Sequence, residues 1–385
     1  MKTCIRFHRS ILLGITVALL AAFLPLSMPS ASAQNQAASA VPTSGYQAFL
    51  PSASAPCRQY CVGWAVGNAA DGYGVILRTD DSGVTWKRQG RVGAIPNVDL
   101  NGVSAVDAQN AWAVGGKVIL HTQNGGLTWE QQSLPGDLPK EFELFQVKAL
   151  DRVTAFAVGN LGVLLKTSDG TRSRDGAMWT RMPTSPSLPP IQYSDVDALD
   201  ATHAWAVGGV ISGADPRGGL AIAFYDGVQW QPQLITHSTK DCNSFIGVSA
   251  VDRDTAWAVG GPNCPPFKTV NGGATWRAVG KPVAPGYYDT NRVVAVTRDR
   301  VWVTHDNGIY RTTNGGGDWV QTPAGCGGMN YCYAISAAGT KYAWASDLAA
   351  PPGKLFRWVG GNHWEAQTAP GTVSITLISF VGARR

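Results

Sequence analysis

Charge is scarce in this sequence, and its imbalance sits mostly at one end. Only 15% of the 385 residues are charged, and Lys2, Arg6 and Arg9 supply three units of the formal net charge of +5. Beyond them the chain is close to neutral and has no run of Lys or Arg, so neither nucleic acid nor an anionic membrane surface is expected as a partner. The six His are scattered and no Cys-x-x-Cys pair occurs, which argues against a metal site. A Gly-x-Ser-x-Gly elbow, a phosphate loop and a zinc-protease motif are all missing, so no cofactor is expected. Long apolar runs are also missing, with one exception at residues 11–26. That run is too short for a typical membrane span, and no later segment is long enough for one, so no transmembrane segment is expected after it.

Residues 1–33 have the form of an export signal. Three basic residues precede the apolar run, and Ala31-Ser32-Ala33 offers a small-x-small cleavage pattern before Gln34. The expected organisation is a cleaved signal at 1–33, a linker and lead-in at 34–56, and a single repeat domain at 57–385, in a secreted or extracytoplasmic, monomeric protein. Six Cys follow the signal, an even number that suits disulfides in an exported chain. The favoured pairs are Cys57 with Cys61, Cys242 with Cys264 and Cys326 with Cys332; exchange between the first and third pairs is the main alternative.

What the chain does have is Trp, at regular intervals. One series runs Trp64, Trp112, Phe156, Trp205, Trp257, Trp302 and Trp344, mostly within Trp-Ala-Val-Gly. A second runs Trp86, Trp129, Trp179, Trp230, Trp276, Trp319 and Trp364, and only Trp358 of the 14 Trp lies outside both. The 42 to 52 residue spacing suits a four-stranded propeller blade. The second copy divides into strand a at 100–107, strand b at 111–115, strand c at 117–122 and strand d from Thr128-Trp129, with Gly and Asn marking the turns. The fold expected is all-β: a seven-bladed β-propeller of four-stranded antiparallel blades. Residues 373–382 repeat the strand a pattern with no b, c and d after it, so this C-terminal strand is expected to complete blade one and close the ring.

The c-to-d turn carries the sharpest motif: TDDSGVTW at 79–86, TQNGGLTW at 122–129, TVNGGATW at 269–276 and TTNGGGDW at 312–319. Asp or Asn can bond amides two residues on, Gly accepts positive φ, and the Trp buries a large ring. The structural positions are Asp81, Gly83 and Trp86; Asn124, Gly126 and Trp129; Asn271, Gly273 and Trp276; and Asn314, Gly316 and Trp319. This turn resembles the Asp-box, or BNR, repeat of sialidases, sortilin-type receptors and some glucanases. The fuller unit AWAVGGKVILHTQNGGLTW at 111–129 more closely resembles the photosystem II assembly and stability factor family. That resemblance implies an exported or lumenal, non-catalytic seven-bladed scaffold that docks a membrane protein through a basic surface patch.

In a propeller the a-to-b and c-to-d turns share one face. Here they are short or Asp-box turns, so that face is uniform, while the b-to-c and d-to-a loops vary in length and all six later Cys belong with them. Binding is therefore expected on the decorated face. The residues placed there are Phe142, Tyr193, Asp215, Arg217, His237, Lys240, Tyr287, Tyr288, Asp289, Arg292 and Tyr331, with the adjacent Tyr287 and Tyr288 foremost. A protein or cell-surface partner is expected. The alternative is a carbohydrate-binding or sialidase-like glycoside-hydrolase propeller, which needs paired carboxylates and an arginine cluster. Asp107, Asp151, Asp200 and Asp252 recur at equivalent turn positions, which favours structure over catalysis. Arg181-Met182-Pro183 has the form of a sialidase Arg-x-Pro element but follows the third Asp-box turn rather than preceding the first. No enzymatic activity is expected.

Overall fold

The computed structural model describes residues 61–382, except 92, 168–177, 212–218, 234, 236–241, 285–288, 327–330, 349–351 and 372. These form seven four-stranded antiparallel sheets, each meandering outward from the centre, in a seven-bladed propeller. In blade one the C-terminal strand Ile375–Gly382 is innermost and pairs antiparallel with Cys61–Ala70, Trp64 lying opposite Ser379. The ring is thus closed by the chain end. In the second copy strand b is Ala111–Gly115, whereas strand a shortens to Gly102–Ala105 and strand d begins at Glu130 rather than Thr128. The delay has a cause: the Thr128 amide donates to Asn124 Oδ1 at 3.0 Å, so it belongs to the turn and not to the ladder.

Trp-Ala-Val-Gly is a packing motif. The first-series ring is fully buried in blades one to five. The Gly at its end lets the neighbouring inner strand press against the backbone: a Cβ at Gly159 would lie 1.9 Å from Glu143 O, and one at Gly260 2.1 Å from Ser244 O. The second-series Trp packs against the first-series aromatic of the preceding blade. Trp230 meets Phe156 at 6.1 Å, Trp319 meets Trp257 at 6.4 Å and Trp364 meets Trp302 at 5.6 Å, all edge to face. Between blades four and five an amide links the two rings, as Gln233 Oε1 accepts from both Trp205 Nε1 at 3.1 Å and Trp276 Nε1 at 2.7 Å.

The Asp-box turns are hydrogen-bond cages. Thr269 Oγ1 accepts from the Gly273 amide at 2.8 Å and donates to Asn271 Oδ1 at 3.0 Å, while that oxygen also accepts from the Thr275 amide at 3.0 Å. The same bonds recur around Asp81, Asn124 and Asn314. Gly83, Gly126, Gly273 and Gly316 hold φ between 81° and 91°, which explains the Gly at this position.

Candidate functional site

The uniform face is spent on structure. Asp107 Oδ1 accepts from the Gln109 and Asn110 amides, and its Oδ2 from Arg152 Nε of the next blade at 2.9 Å. Asp200 likewise meets Arg253 at 3.0 Å and Asp252 meets Arg298 at 2.7 Å. Strand c adds a second tie. Opposite the buried first-series ring stands a side chain that covers it: Arg78 over Trp64, Lys166 over Phe156, Lys268 over Trp257 and Arg311 over Trp302, with centres 4.7 to 5.6 Å away. Lys166 Nζ then donates to Ala201 O at 2.6 Å and Lys268 Nζ to Arg298 O at 2.8 Å, each on the following blade. Blade two uses a neutral ring instead. His121 stacks on Trp112 at 3.8 Å, and burial pulls its imidazole down to about 4.

These turns make stability depend on acid. Burial raises the Asp107, Asp200 and Asp252 carboxyls, but the hydrogen bonds and the Arg or His partners outweigh it, and all three lie below the usual carboxylate range. Asp81 is lowered in the same balance by Thr85 and Thr79. A carboxyl lowered in the folded state contributes stability that is present above its unfolded pKa of about 4 and is lost as pH falls through the folded value. Burial raises Asp195 and Asp289, which work in the opposite sense above pH 4. The urea midpoint is therefore expected to fall steeply from pH 5 to pH 2.5, and less steeply in Asp252→Asn. A flat midpoint over that range would contradict the assignment.

The inner strands surround a central channel of about 1040 Å³ that reaches the a-to-b turns of blades two to four. One edge of each inner strand pairs with strand b; the other faces the channel with unpaired amides. The preceding blade covers them. The residue opposite the first-series aromatic is Ser379, Ser104, Lys148, Asp197, Ser249, Val294 and Ser336 in turn round the ring. Ser379 Oγ accepts from the Ala105 amide at 3.1 Å, Ser104 from Ala149 at 3.0 Å, Ser249 from Ala295 at 3.0 Å and Ser336 from Phe380 at 3.1 Å. Asp197 Oδ2 does the same for Ala250 at 2.8 Å. Lys148 has no acceptor to give, and Asp197 Oδ1 compensates by taking both Lys148 Nζ at 2.7 Å and its own blade's Ala198 amide at 2.9 Å. Two residues along the same strand, Asp195 is buried and accepts from the Val196 and Val248 amides at 2.9 Å each.

The decorated face differs from the sequence expectation. Phe142 is 8% exposed and packs in the blade-three core beside Leu144. Tyr193 lies in the inner strand Ile191–Asp200 at 2% exposure, and burial pushes its phenol up. Arg292 belongs to the inner strand Thr290–Ala295, is 7% exposed and lines the channel. None of these three has surface to offer a docking partner on that face. Tyr331 does, at 42% exposure beside the Cys326–Cys332 disulfide. Asp289 is half-buried against Asp306, whose Oδ2 accepts its amide at 3.1 Å. Tyr287, Tyr288, Asp215, Arg217, His237 and Lys240 lie outside the described residues. Cys242 and Cys264 are bonded across the blade-five loops. Cys61 is also disulfide-bonded, and Cys57 lies outside the described residues. The Ser latches of the inner strands and the cations of strand c were missed by the sequence reading; their signals are a Ser recurring eight residues before the first-series Trp, as at Ser104, Ser249 and Ser336, and a Lys or Arg immediately before the Thr that opens the c-to-d turn, as at Arg78, Lys166, Lys268 and Arg311.

A sequence model of the photosynthesis system II assembly factor YCF48 matches residues 57–182 and, in a second register, 103–213. The chain is a BNR-type propeller resembling that family. Among solved structures, YCF48 bound to a D1 peptide aligns with a TM-score of 0.57 at 19% identity, over 81% of this chain and 94% of that one. YCF48 from Cyanidioschyzon merolae gives 0.56 at 19%, over 80% and 98%. A protein from Lactobacillus plantarum gives 0.59 at 12%, over 84% and 99%. No curated protein matches the sequence. At these identities the likeness to YCF48 structures is a likeness of fold; the sequence match covers blades one to three and the start of blade four.

Proposed function

We propose that this propeller is a non-catalytic, extracytoplasmic scaffold that, as a monomer, holds a protein partner during assembly of a larger complex. The observation that carries the reading is the YCF48 match over residues 57–213. One structure of that fold holds a D1 peptide, which makes a peptide segment the partner class to test first. Three further features support the reading. Among the described residues, Asp107, Asp200 and Asp252 of the uniform face are engaged in turns and inter-blade ion pairs, which favours a structural role for them over catalysis. The disulfides of blade five and of the blade-seven entry suit an oxidising compartment. Among the described residues, the most exposed large apolar side chains, Leu127, Val228 and Val270, stand on three different blades, which favours a monomer.

The partner is assigned to the decorated face, where Tyr331 is exposed. A photo-reactive phenylalanine analogue at position 331 is expected to give one discrete protein adduct in the native host, and the same analogue at the uniform-face position 127 none. Equal adducts from both positions would reject the face assignment. Glycan binding without any protein adduct, or turnover of chromogenic glycosides, would reject the scaffold reading in favour of a carbohydrate-active propeller.

A further inference from the structure

Six of the seven blades end in a stub. Their outer strands are two or three residues long, Lys87–Arg88, Glu130–Gln131, Thr180–Arg181, Trp230–Pro232, Arg277–Ala278 and Val320–Thr322, and an edge so short offers little for another chain to pair with. Blade seven is the exception. Its outer strand, His363–Thr368, is six residues long and pairs with Lys354–Gly360 along its length. The turn explains the difference. An Asp-box cage holds its Thr amide and delays the strand, as at Thr128, whereas Gly361 and Asn362, with φ of 57° and 67°, form a two-residue hairpin turn that lets pairing begin at once.

One side of this strand is unused. The Ala369 amide donates to Gly353 O at 2.9 Å and ladder bonds alternate from there, so Gln367 and Glu365 bond inward while the amides and carbonyls of Trp364, Ala366 and Thr368 face outward. The Lys354 amide fits that phase, since it turns away from the outer strand to Asp347 Oδ1 at 2.7 Å. Neither Pro nor Lys guards the edge. The one charged side chain of the strand, Glu365, is held by Arg357 at 2.6 Å, and the other acid of the blade, Asp347, is fully buried. What is left over is positive: Lys354 is exposed at the start of strand c and has no ion pair among the described residues.

We propose that the outer edge of blade seven receives an extended, acidic peptide segment of a partner protein as a fifth strand. Main-chain bonds to Trp364, Ala366 and Thr368 supply the affinity. Charge supplies the preference: a residue added opposite Thr368 lies two strand spacings, about 10 Å, from Lys354, a gap that a Glu and a Lys side chain span together. A second copy of this chain fits the edge less well, because its Glu365 is already held and brings no free carboxylate to Lys354. The edge is the outermost strand of its sheet, so this contact lies on the rim and is separate from the partner on the decorated face.

The probes are two end-capped peptides, Thr-Glu-Val-Thr-Val and Thr-Lys-Val-Thr-Val, titrated into the full chain and followed by NMR. With the Glu peptide bound, hydrogen exchange at the Ala366 amide is expected to slow roughly tenfold, while the Gln367 amide, already in the ladder, is unchanged. The Glu peptide is expected to bind roughly three- to tenfold more tightly than the Lys peptide, and Lys354→Glu to reverse that order. Ala366→Pro removes an outward amide that the sheet does not use, and edge strands tolerate Pro there, so its urea midpoint is expected to hold while both peptides stop binding. The exchange measurement and Lys354→Glu decide the matter even if the Pro variant fails to fold. Unchanged exchange at Ala366 with the Glu peptide at its solubility limit, the same peptide order in Lys354→Glu, or full binding by a folded Ala366→Pro overturns the proposal. So does exchange at Ala366 that slows with protein concentration alone and accompanies a dimer in sedimentation, which would give the edge to a second copy.

Discussion

Replacing Asp197 by alanine is expected to lower the unfolding free energy by about 3 to 5 kcal/mol, the cost of stranding one member of a buried ion pair. Its carboxylate joins three blades. Lys148 comes from blade three, the Ala198 amide from its own blade four and the Ala250 amide from blade five. The Asp197 and Lys148 side chains are 8% and 21% exposed, so the ammonium cannot recover full hydration when its partner is cut away. A double variant, Lys148→Met with Asp197→Leu, removes both charges and is expected to be more stable than Asp197→Ala alone, since no buried charge is left without a partner. By contrast, Ser249→Ala removes one neutral latch and is expected to cost only about 1 kcal/mol. Urea unfolding of the four proteins measures the series. An Asp197→Ala midpoint within error of the wild type would show that the latch does not hold the blades together.

That latch also shows why part of the molecule was legible in the sequence and part was not. The blade count, the Asp-box cages and the closing strand follow from local chemistry. Trp recurs where a ring must be buried, Asn124 and Gly126 stand where a turn needs an acceptor and a positive φ, and residues 373–382 look like an inner strand without followers. The inner strands themselves were harder to read. Residues 191–200, IQYSDVDALD, carry polar side chains that would suit an exposed loop, yet Ile191–Asp200 is a ten-residue strand. Its Asp residues are buried because they satisfy the open edge of the next blade, a partner 53 residues away in sequence. A bulge between Tyr193 and Asp195 further breaks the alternation that would have marked Tyr193 as buried. Arg292 misleads for the same reason: Gly247, which makes room for it, is on another blade. Phe142 was read as a loop aromatic, but its loop turns back on itself through a bond from the Phe142 amide to Pro139 O at 3.2 Å and returns the ring to the core.

Removing residues 375–385 is expected to abolish cooperative folding. The strand buries Ile375, Leu377, Ile378, Phe380 and Val381, and at about 1.5 to 3 kcal/mol for each large apolar side chain the loss is roughly 8 to 15 kcal/mol as an upper bound. That is comparable to the whole stability of an ordinary domain, about 5 to 15 kcal/mol. The loss is also spread around the ring. Phe380 stacks on Trp344 of blade seven at 3.7 Å and meets Trp86 of blade one edge-on at 5.6 Å, so its removal opens the seam between the last and first blades. Cys61–Ala70 becomes an unpaired edge, and the Ala105 amide loses Ser379. General destabilisation and failure of closure can be told apart by adding the strand back. A synthetic peptide of residues 373–385 is expected to restore the cooperative transition in the truncated chain by completing the sheet, as a donated strand does, and a peptide carrying Phe380→Asp is not. If the truncated chain melted as the full chain does, the C-terminal strand would not be what closes the ring. If the wild-type peptide failed to rescue a soluble truncated chain, closure would have to be established before the other blades assemble.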